Sequence, residues 1–342
     1  MKRICVLPGD GIGPEVVECA VSVIKGATDD LEFVPADIGQ AAYEKVGTYL
    51  PAETLQLMRS CDSSLFGAIT SVEGPEYDPP VLRFRKELDL YANLRPVRTL
   101  VRVPNRAPID VVIVRENSEG MYTQDEVYDD EGVTTLRRVT RKGSERIVDF
   151  AIEYALANGR RGITCVHKAN VLRASDGLFV NTFRELMKTK GKGLQASEQL
   201  VDSAAMKLLT DPSAFDVIVT LNLYGDILSD VAAGVAGGLG FAPSGNIGPK
   251  HSVFEPAHGS APDIAGKGVA NPTASVLAGA MMLNHVGLPE AAWRIERAVS
   301  EFYSSGHLTT DIGGRHGSKS FTEHILKNLT AQPHHYRNAT GQ

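Results

Sequence analysis

The stretch FDVIVTLNLYGDILSDVAAGVAGGLG, residues 215–240, combines a buried strand with a helix. Its first part, FDVIVTLNL, is a short apolar run rich in Val and Ile, which is typical of a strand covered on both faces. After Gly225 the apolar spacing becomes helical, and the run ends at Gly237, Gly238 and Gly240. A buried strand that leads directly into a helix predicts an α/β protein with a parallel sheet.

Asp226 and Asp230 lie four residues apart in the helical part of this stretch, so their carboxylates face the same way. Two like charges held that close repel each other, and a hard divalent cation such as Mg²⁺ or Mn²⁺ would remove the conflict. The alternative is a solvated helix face, the usual explanation of this spacing. Because the pair follows a buried strand, where α/β proteins place their sites, we expect a metal site.

The rest of the chain alternates strands and helices, as expected of a parallel α/β fold. At 342 residues it is long enough for two lobes. A Gly- and Pro-rich segment, residues 245–274, predicts a long structured loop rather than a linker. Further strands are predicted at residues 3–7, 63–69, 110–115 and 162–167, and helices at 14–25, 40–45, 52–60, 143–158, 272–285, 288–304 and 321–329.

Composition and charge narrow the class of protein. A hydrophobic content of 43% and a charged content of 22% are those of a globular protein. A net charge of −6, with Lys and Arg spread along the chain, argues against nucleic-acid binding. We expect neither a signal peptide nor a membrane span, since no apolar stretch is long enough. Cys5, Cys19, Cys61 and Cys165 are predicted to be buried free thiols of a cytoplasmic protein.

Gly9, Gly11 and Gly13 follow the first strand and resemble a dinucleotide-binding fingerprint. Asp37 stands at about the distance of a ribose-binding acid. The order, however, is G-x-G-x-G followed by Pro14, not G-x-G-x-x-G running into a helix. The alternative is a tight strand-to-helix turn that brings the backbone close to a ligand.

Several charged residues suggest a site elsewhere in the chain. Arg85 and Arg95 bracket an apolar-rich element, and their planar guanidinium groups suit bidentate binding of carboxylates, although surface solvation is the alternative. Lys168 ends a predicted strand, where a buried lysine with a lowered pKa could act as a base and an exposed one would not. Asp202 begins a helix and could be its N-cap. Residues 123–141, acidic and then β-rich, are expected to form an arm that pairs with a partner subunit.

The chain also carries six motifs of one family in order: LPGDGIGPEV, YANLRP, VRENSEGMY, HKAN, GDILSD and EPAHGSAPDIAGKGVANPTA. Over essentially its whole length it resembles the β-decarboxylating dehydrogenases, which act on isocitrate, 3-isopropylmalate or homoisocitrate. The resemblance implies a two-lobed α/β fold whose nucleotide site is not of the Rossmann type. Residues 1–95 and 237–342 would form the large cofactor-binding lobe, and residues 96–236 the small lobe for dimerisation and catalysis. It further implies a homodimer with shared active sites and leaves a tetramer open.

The resemblance assigns roles to individual residues. Tyr122 would be the proton donor, and Lys168 and Asp202 would reach the site from the partner subunit. Three further sets follow from the motifs. Substrate would be bound by Arg85, Arg95, Arg115 and Asn170, and Mg²⁺ or Mn²⁺ by Asp202, Asp226 and Asp230. The cofactor would contact Ile12, Thr70, Glu255, His258, Gly259, Ser260, Ala261, Asp263, Ile264 and Asn271.

Asp263 indicates which nicotinamide cofactor is used. It stands where the NAD-dependent members keep an acid for the ribose hydroxyls. Its negative charge would also repel the 2′-phosphate of NADP, so we expect NAD.

The residues ahead of Arg85 would select the substrate. Val81 and Leu82 suit an isopropyl group, because each buried methyl or methylene contributes about 0.8 kcal/mol. A third carboxylate would lie there without a partner, unless Arg83 reached it. We therefore expect oxidation of 3-isopropylmalate to 2-oxoisocaproate in leucine biosynthesis, as in archaeal-type enzymes, with homoisocitrate or isocitrate as the alternatives. A non-catalytic regulatory subunit is disfavoured, because the catalytic tyrosine, the lysine and the metal aspartates are all present.

Overall fold

The computed structural model describes residues 1–74 and 77–330. The chain divides into two compact units. Of the described residues, the first contains 1–74, 77–81, 240–243 and 252–330, and the second contains 82–239 and 244–251. The first boundary thus lies near residue 81 rather than residue 95, since Arg85 and Arg95 both belong to the second unit. The polar tail from residue 331, which the sequence predicts to fray, lies outside the described residues.

The elements of the described chain are numbered in chain order. The strands are β1 (Lys2–Gly9), β2 (Leu31–Pro35), β3 (Ser63–Ala68), β4 (Ala92–Arg98), β5 (Asp110–Glu116), β6 (Glu126–Tyr128), β7 (Val133–Thr135), β8 (Gly162–His167), β9 (Gln195–Leu200), β10 (Val217–Thr220), β11 (Pro243–Ile247) and β12 (Ser252–Pro256). The helices are α1 (Gly13–Ala27), α2 (Gln40–Val46), α3 (Ala52–Ser60), α4 (Pro80–Glu87), α5 (Arg141–Ala157), α6 (Ser175–Thr189), α7 (Val201–Thr210), α8 (Asn222–Ala236), α9 (Thr273–His285), α10 (Pro289–Ser304) and α11 (Ser318–Thr330).

The first unit is built on four parallel strands in the order β2-β1-β3-β12. The apolar residues Ile4 and Leu7 of β1 and Leu65 of β3 are fully buried, as the continuous apolar runs predict for strands covered on both faces. Helices α1 and α9 pack on this sheet, and α10 and α11 pack against these two helices. The predicted α/β class is confirmed.

The second unit has the strand order β11-β4-β5-β10-β8-β9. Strands β5, β10, β8 and β9 are parallel, with Val219 opposite both Val114 and Cys165. Strand β4 runs antiparallel to its neighbours β5 and β11, so the expected parallel alternation is interrupted there.

The sequence pattern does not predict β4, β9, β11 and β12, and the expectation that residues 245–274 form one long loop is wrong. That segment contains most of β11 and all of β12. Strands β9 (QASEQL) and β11 (PSGNI) have few apolar residues. They are stabilised by hydrogen bonds to the neighbouring strands, β8 for β9 and β4 for β11. Such pairing cannot be predicted from the local pattern of side chains.

Helix α8 begins at Asn222, earlier than the predicted start after Gly225, and β10 is correspondingly short. Apolar residues continue from the strand across Leu221 and Leu223 into the helix, so hydrophobicity alone does not mark the change. The predicted end is confirmed, because the C-cap Gly237 adopts φ +126°, a conformation that favours glycine.

The predicted arm, residues 123–141, contains β6 and β7. These two strands pair with each other in an antiparallel sheet that includes none of the other strands. Its apolar residues Val127, Tyr128, Val133 and Leu136 are each more than half exposed. The arm therefore presents an apolar surface that the described part of the chain leaves uncovered, and a two-stranded sheet of this kind is marginally stable by itself.

Two expectations about the whole sequence can be compared with the described residues. All four cysteines are free and buried, as predicted. No helix in residues 1–74 and 77–330 has the length and apolar character required to span a membrane.

Candidate active site

Two buried arginines from neighbouring strands converge on one aspartate of α8. Nη1 of Arg115, on β5, donates to Oδ1 of Asp226 at 2.5 Å. Nη1 of Arg95, on β4, lies 3.2 Å from the same oxygen. Strands β4 and β5 pair directly, which brings the two guanidinium groups side by side. Two predicted substrate-binding residues therefore surround a predicted metal ligand.

Arg115 is fixed from several sides and is only 1% exposed. Its Nε and Nη2 donate to Oδ1 of Asn222 at 3.2 and 2.8 Å, and its guanidinium carbon lies 4.8 Å from the ring centre of Tyr122. Burial and the neighbouring Arg95 lower the pKa of Arg115 to about 9, so the group remains charged at neutral pH. Gly225 of α8 provides the space for this side chain, since an added Cβ would lie 2.6 Å from the Cβ and Cγ of Arg115.

Arg95 is held by polar residues that the sequence did not single out. Its Nε donates to Oδ1 of Asn93 at 2.6 Å, and its Nη1 donates to Oγ of Ser229 at 2.6 Å. Asn222, which holds Arg115, precedes Asp226 by the same four residues that separate Asp226 from Asp230. That spacing puts all three on one helix face and could have indicated Asn222 from sequence, whereas nothing local indicates Asn93.

Asp226 and Asp230 differ in their tendency to ionise. Burial opposes the charge of Asp226, but Arg115 and Arg95 outweigh it and lower the pKa of that carboxyl. Burial raises the pKa of Asp230, and the charge of Asp226 adds to this, with partial relief from Arg95 at 3.9 Å. A divalent cation would favour the ionised form of both carboxyls, so the pair fits a metal site.

The third predicted metal ligand is elsewhere in the chain. Within the described residues, no three His, Cys, Asp or Glu side chains form a group that could hold a metal ion. Asp202 instead accepts a hydrogen bond from Nζ of Lys168 at 2.6 Å. Since the resemblance takes Asp202 from the partner subunit, a metal site that includes it needs a second chain and stays a prediction.

Lys168 and Asp202 form an accessible pair. The Lys168 side chain is 27% exposed, so the fully buried lysine considered from sequence is not present. The hydrogen bond from Lys168 lowers the pKa of Asp202. Asp202 is the second residue of α7, whose N-cap is Leu200, so the N-cap alternative for Asp202 is wrong. Asn170, two residues after Lys168, is exposed.

Helix α4 carries Arg85, which is buried, and its first turn contains the half-buried Val81 and Leu82. Residues three and four apart share one helix face, so Val81 and Leu82 lie on the side of Arg85. Arg83 is two residues from Arg85 and points to the other side of the helix.

In the first unit, the glycine-rich turn after β1 packs against the loop that follows β12. Gly9 and Gly11 have φ values of +71° and +59°. An added Cβ on Gly11 would lie 2.0 Å from the carbonyl oxygen of Ser260, which also accepts the N–H of Ile12 at 2.8 Å. Thr70 Oγ1 donates to Oγ of Ser260 at 2.8 Å. The structure therefore has the tight strand-to-helix turn that the sequence offered as the alternative to a dinucleotide-binding fingerprint. The backbone of this turn lies close to the loop after β12.

His258, in the same loop, has one ring nitrogen that is hydrogen-bonded and one that is not. Its Nδ1 lies 2.9 Å from the carbonyl oxygen of Gly259. Its Nε2 is buried and has no hydrogen-bond partner among the described residues. Burial lowers the pKa of His258, so the ring is neutral at pH 7. A buried imidazole nitrogen without a partner costs free energy unless a bound molecule satisfies it, which fits a cofactor at this loop.

The other predicted cofactor residues are distributed along the same loop and its flanks. Ala261 and Ile264 pack against the small apolar cluster that contains Ile12. Asp263 is exposed in a short 3-10 turn, where its charge faces solvent. The amide of Asn271 is used within the protein, because it donates to Asp311 at 3.0 Å and accepts the N–H of Thr273. Glu255 is buried on β12.

Comparison with known proteins gives consistent matches. The family model described as isocitrate/isopropylmalate dehydrogenase matches residues 3–328. The chain is 46% identical over 328 residues to the 3-isopropylmalate dehydrogenase of Methanothermobacter thermautotrophicus, covering 96% of this chain and 98% of that protein. It is 46% identical over 330 residues to the isocitrate/homoisocitrate dehydrogenase of Thermus thermophilus, with shares of 96% and 98%. The crystal structure of isocitrate dehydrogenase from Methylococcus capsulatus matches with a TM-score of 0.92 and 42% identity, covering 96% of this chain and 99% of that one.

Proposed function

This chain belongs to the isocitrate/isopropylmalate dehydrogenase family, and we propose that it oxidises and decarboxylates 3-isopropylmalate with NAD and a divalent metal. The product would be 2-oxoisocaproate, an intermediate of leucine biosynthesis. The observation that carries the proposal is the convergence of Arg95, Arg115 and Tyr122 on Asp226. This group combines cations for substrate carboxylates with a proton donor and a candidate metal ligand.

Arg85, Arg95 and Arg115 would bind the carboxylates of the substrate. All three are buried, and all three lower the pKa of Asp226, so their charges act on the same place. A buried guanidinium group is costly without anionic partners, and its planar fork matches a carboxylate in two hydrogen bonds. The hydrogen bonds from Arg95 and Arg115 to Asn93 and Asn222 would keep the forks oriented before substrate arrives.

Tyr122 would donate the proton that replaces the lost carboxyl group. Its hydroxyl donates a hydrogen bond to Oδ2 of Asp226. Burial and this hydrogen bond raise the pKa of Tyr122, so it retains its proton at neutral pH, as a general acid must.

Lys168 and Asp202 of a second copy would remove the proton of the substrate alcohol. The hydrogen bond from Lys168 lowers the pKa of Asp202, so its carboxylate stays ionised and orients the Lys168 amine, which would take the proton. The 2.6 Å hydrogen bond between them gives the proton a direct route.

Asp226 and Asp230, with Asp202 of the second copy, would hold Mg²⁺ or Mn²⁺, and the loop around His258 would hold NAD. The metal would supply Lewis-acid polarisation of the substrate oxygen, and NAD would accept the hydride. The exposed carboxylate of Asp263 would exclude the 2′-phosphate of NADP by repulsion.

Val81 and Leu82 support the choice of 3-isopropylmalate. They lie on the Arg85 side of α4, where an isopropyl group could be covered, and Arg83 is on the other side. Homoisocitrate is the second candidate, because a relative named isocitrate/homoisocitrate dehydrogenase is as similar to this chain as one named 3-isopropylmalate dehydrogenase.

Parallel assays of NAD reduction would test the proposal. The substrates are 3-isopropylmalate, homoisocitrate and isocitrate, each with and without Mn²⁺, and NADP replaces NAD in a further set. We expect the highest kcat/KM with 3-isopropylmalate, NAD and Mn²⁺. No NAD reduction with any of the three substrates would refute the proposal, and a preference for homoisocitrate would replace the substrate.

Two variants of α4 sharpen the test of the substrate. Leu82→Arg would place a cation on the Arg85 side of the helix, so we expect it to shift the preference towards homoisocitrate. Arg83→Gln is the control on the other side. If Arg83→Gln removed activity with homoisocitrate and left that with 3-isopropylmalate, Arg83 would be the group that binds the third carboxylate.

The active protein would be a cytoplasmic homodimer. Met206 and Leu209 of α7 and Ile227 of α8 are apolar side chains that are more than half exposed in one chain. Together with the apolar surface of the arm, they provide area that a second copy could bury. Sedimentation equilibrium would distinguish a dimer from a tetramer.

A further inference from the structure

A fully buried carboxylate, that of Asp176, lies in the same unit as Asp226. Asp176, in the first turn of α6, is 0% exposed. Both of its oxygens are used. Nη1 of Arg137 donates to Oδ1 at 2.6 Å, while the backbone N–H of Lys168 and the hydroxyl of Tyr224 donate to Oδ2 at 2.7 and 3.1 Å. A buried charge is tolerated when it has such partners and is costly without them.

The hydroxyl of the adjacent Ser175 also donates to Oδ1 of Asp176, at 3.4 Å, and the other three partners come from three separate segments. Arg137 belongs to the arm, Lys168 follows β8, and Tyr224 precedes Asp226 on α8 by two residues. The guanidinium carbon of Arg137 also lies 5.3 Å from the ring centre of Tyr224, and its Nη1 donates to Oγ of Ser175 at 2.8 Å. The arm is therefore tied to α6 and α8 at one point.

The loop between Lys168 and Asp176 is closed by its own hydrogen bonds. The N–H of Leu172 donates to the carbonyl oxygen of Lys168 at 2.9 Å, and the N–H of Asp176 donates to that of Leu172 at 3.0 Å. The bond from the N–H of Lys168 to the carboxylate completes the loop. The position of the Lys168 backbone therefore depends on where the Asp176 side chain points.

We propose that Asp176 is a positioning residue that holds Lys168 in place while Arg137 of the arm neutralises its charge. Without Arg137, the buried carboxylate of Asp176 would lose its cation, and turning towards water would lower its free energy. Its hydrogen bond with the N–H of Lys168 would then be broken. The consequence for catalysis rests on the proposed function, in which Lys168 is the proton acceptor. The arm would then have two roles: it would set the position of a catalytic lysine, and its apolar surface would contact a second copy of the chain.

Two substitutions interrupt this arrangement from opposite ends. Asp176→Asn keeps the size of the side chain but turns one acceptor oxygen into a donor. Whichever way the amide is oriented, its NH₂ faces either the guanidinium group of Arg137 or the N–H of Lys168, both of which are donors. Arg137→Gln removes the cation and leaves the carboxylate. Arg138→Gln is the matched control, because Arg138 is the neighbouring residue of the arm, has the same charge and is exposed.

Hydrogen exchange followed by mass spectrometry on the full-length protein measures the release of the Lys168 amide. In Arg137→Gln and Asp176→Asn we expect exchange at this amide to be at least about tenfold faster than in the wild type. Because a small displacement of a reacting group is costly, we expect kcat to fall about 10- to 100-fold with an unchanged KM for NAD. Arg138→Gln should match the wild type in all three quantities. The double variant Arg137→Gln/Asp176→Asn should be no worse than the more affected single variant, since both act through one contact.

The outcomes separate this proposal from the proposed function. Exchange at Lys168 that is as slow in Arg137→Gln as in Arg138→Gln would overturn the positioning role, and so would a loss of activity without faster exchange. If Asp176→Asn does not fold, Arg137→Gln decides the question. Faster exchange in a protein whose wild type oxidises none of the three malates would support the positioning role and refute the dehydrogenase function.

Discussion

Replacement of Gly225 by alanine would test how rigidly Arg115 is held. The new Cβ would lie 2.6 Å from the Cβ and Cγ of Arg115 and 3.2 Å from its Cδ. Carbon atoms in contact prefer about 3.5–4.0 Å, so α8 and β5 would have to separate by about 1 Å. The arginine cannot swing aside, because Asn222 and Asp226 bind its guanidinium group and the side chain is 1% exposed.

The magnitude can be isolated with a second glycine of the same helix. Apart from its chain neighbours and the backbone of its own helix, no heavy atom of the described chain lies within 4 Å of the position that a Cβ on Gly234 would take. Gly234→Ala should therefore gain only the helix propensity of alanine, about 1 kcal/mol. Gly225→Ala gains the same amount and incurs the steric cost of overpacking, about 1–3 kcal/mol. The difference between the two variants in free energy of unfolding is then the steric cost alone.

Urea denaturation would give the two free energies of unfolding, and steady-state kinetics the effect on the site. We expect Gly225→Ala to be about 1–3 kcal/mol less stable than Gly234→Ala, with kcat/KM for 3-isopropylmalate reduced by up to about 100-fold through displaced Arg115. Equal stability and equal activity of the two variants would refute the view that Arg115 is fixed between β5 and α8.

Three further predictions concern the site, its pH dependence and the arm. Tyr122→Phe should keep substrate and NAD binding by calorimetry but form decarboxylated product about 10²- to 10⁴-fold more slowly, and full turnover would remove Tyr122 from the mechanism. His167 accepts the N–H of Ala169 on Nδ1 at 3.1 Å, and burial lowers its pKa below the ordinary 6.5. Its contribution to stability is therefore complete above pH 6.5 and lost as the pH falls from 6.5 towards the folded pKa. His167→Gln keeps an acceptor for Ala169 and should reduce the loss of unfolding free energy between about pH 7.5 and 5.5, and an unchanged slope would contradict this. Deletion of the β6–β7 hairpin, residues 126–135, spares Arg137 and should weaken the dimer in size-exclusion chromatography, whereas a dimer of unchanged stability would argue against an arm that pairs subunits.

Much of the fold could be predicted because the informative patterns are local. Apolar runs indicated β1, β3, β5, β8 and β10, and glycine indicated the end of α8 at Gly237. Strands β9 and β11 were not predicted, because their polar sequences show no alternation of apolar and polar residues. They are strands because they pair with β8 and β4.

The parts of the candidate site that could be predicted are those that follow from motifs or from helical spacing. The four-residue spacing of Asp226 and Asp230 is enough to put both carboxylates on one helix face. The contacts that orient Arg95 were not accessible in this way. Asn93 meets Arg95 only because alternate residues of β4 share a face, and Ser229 meets it only because α8 packs on that strand.

The sequence alone determined the strands and helices with strong apolar patterns, the helix face that carries the two aspartates and the family, because periodicity and motif spacing involve residues close together in the chain. Only the tertiary structure decided which charges meet. Arg115 is 111 residues from Asp226, and Arg137 is 39 residues from Asp176. Such pairs form when β5, α6, α8 and the arm pack together, since burial then makes each cation the necessary partner of its carboxylate.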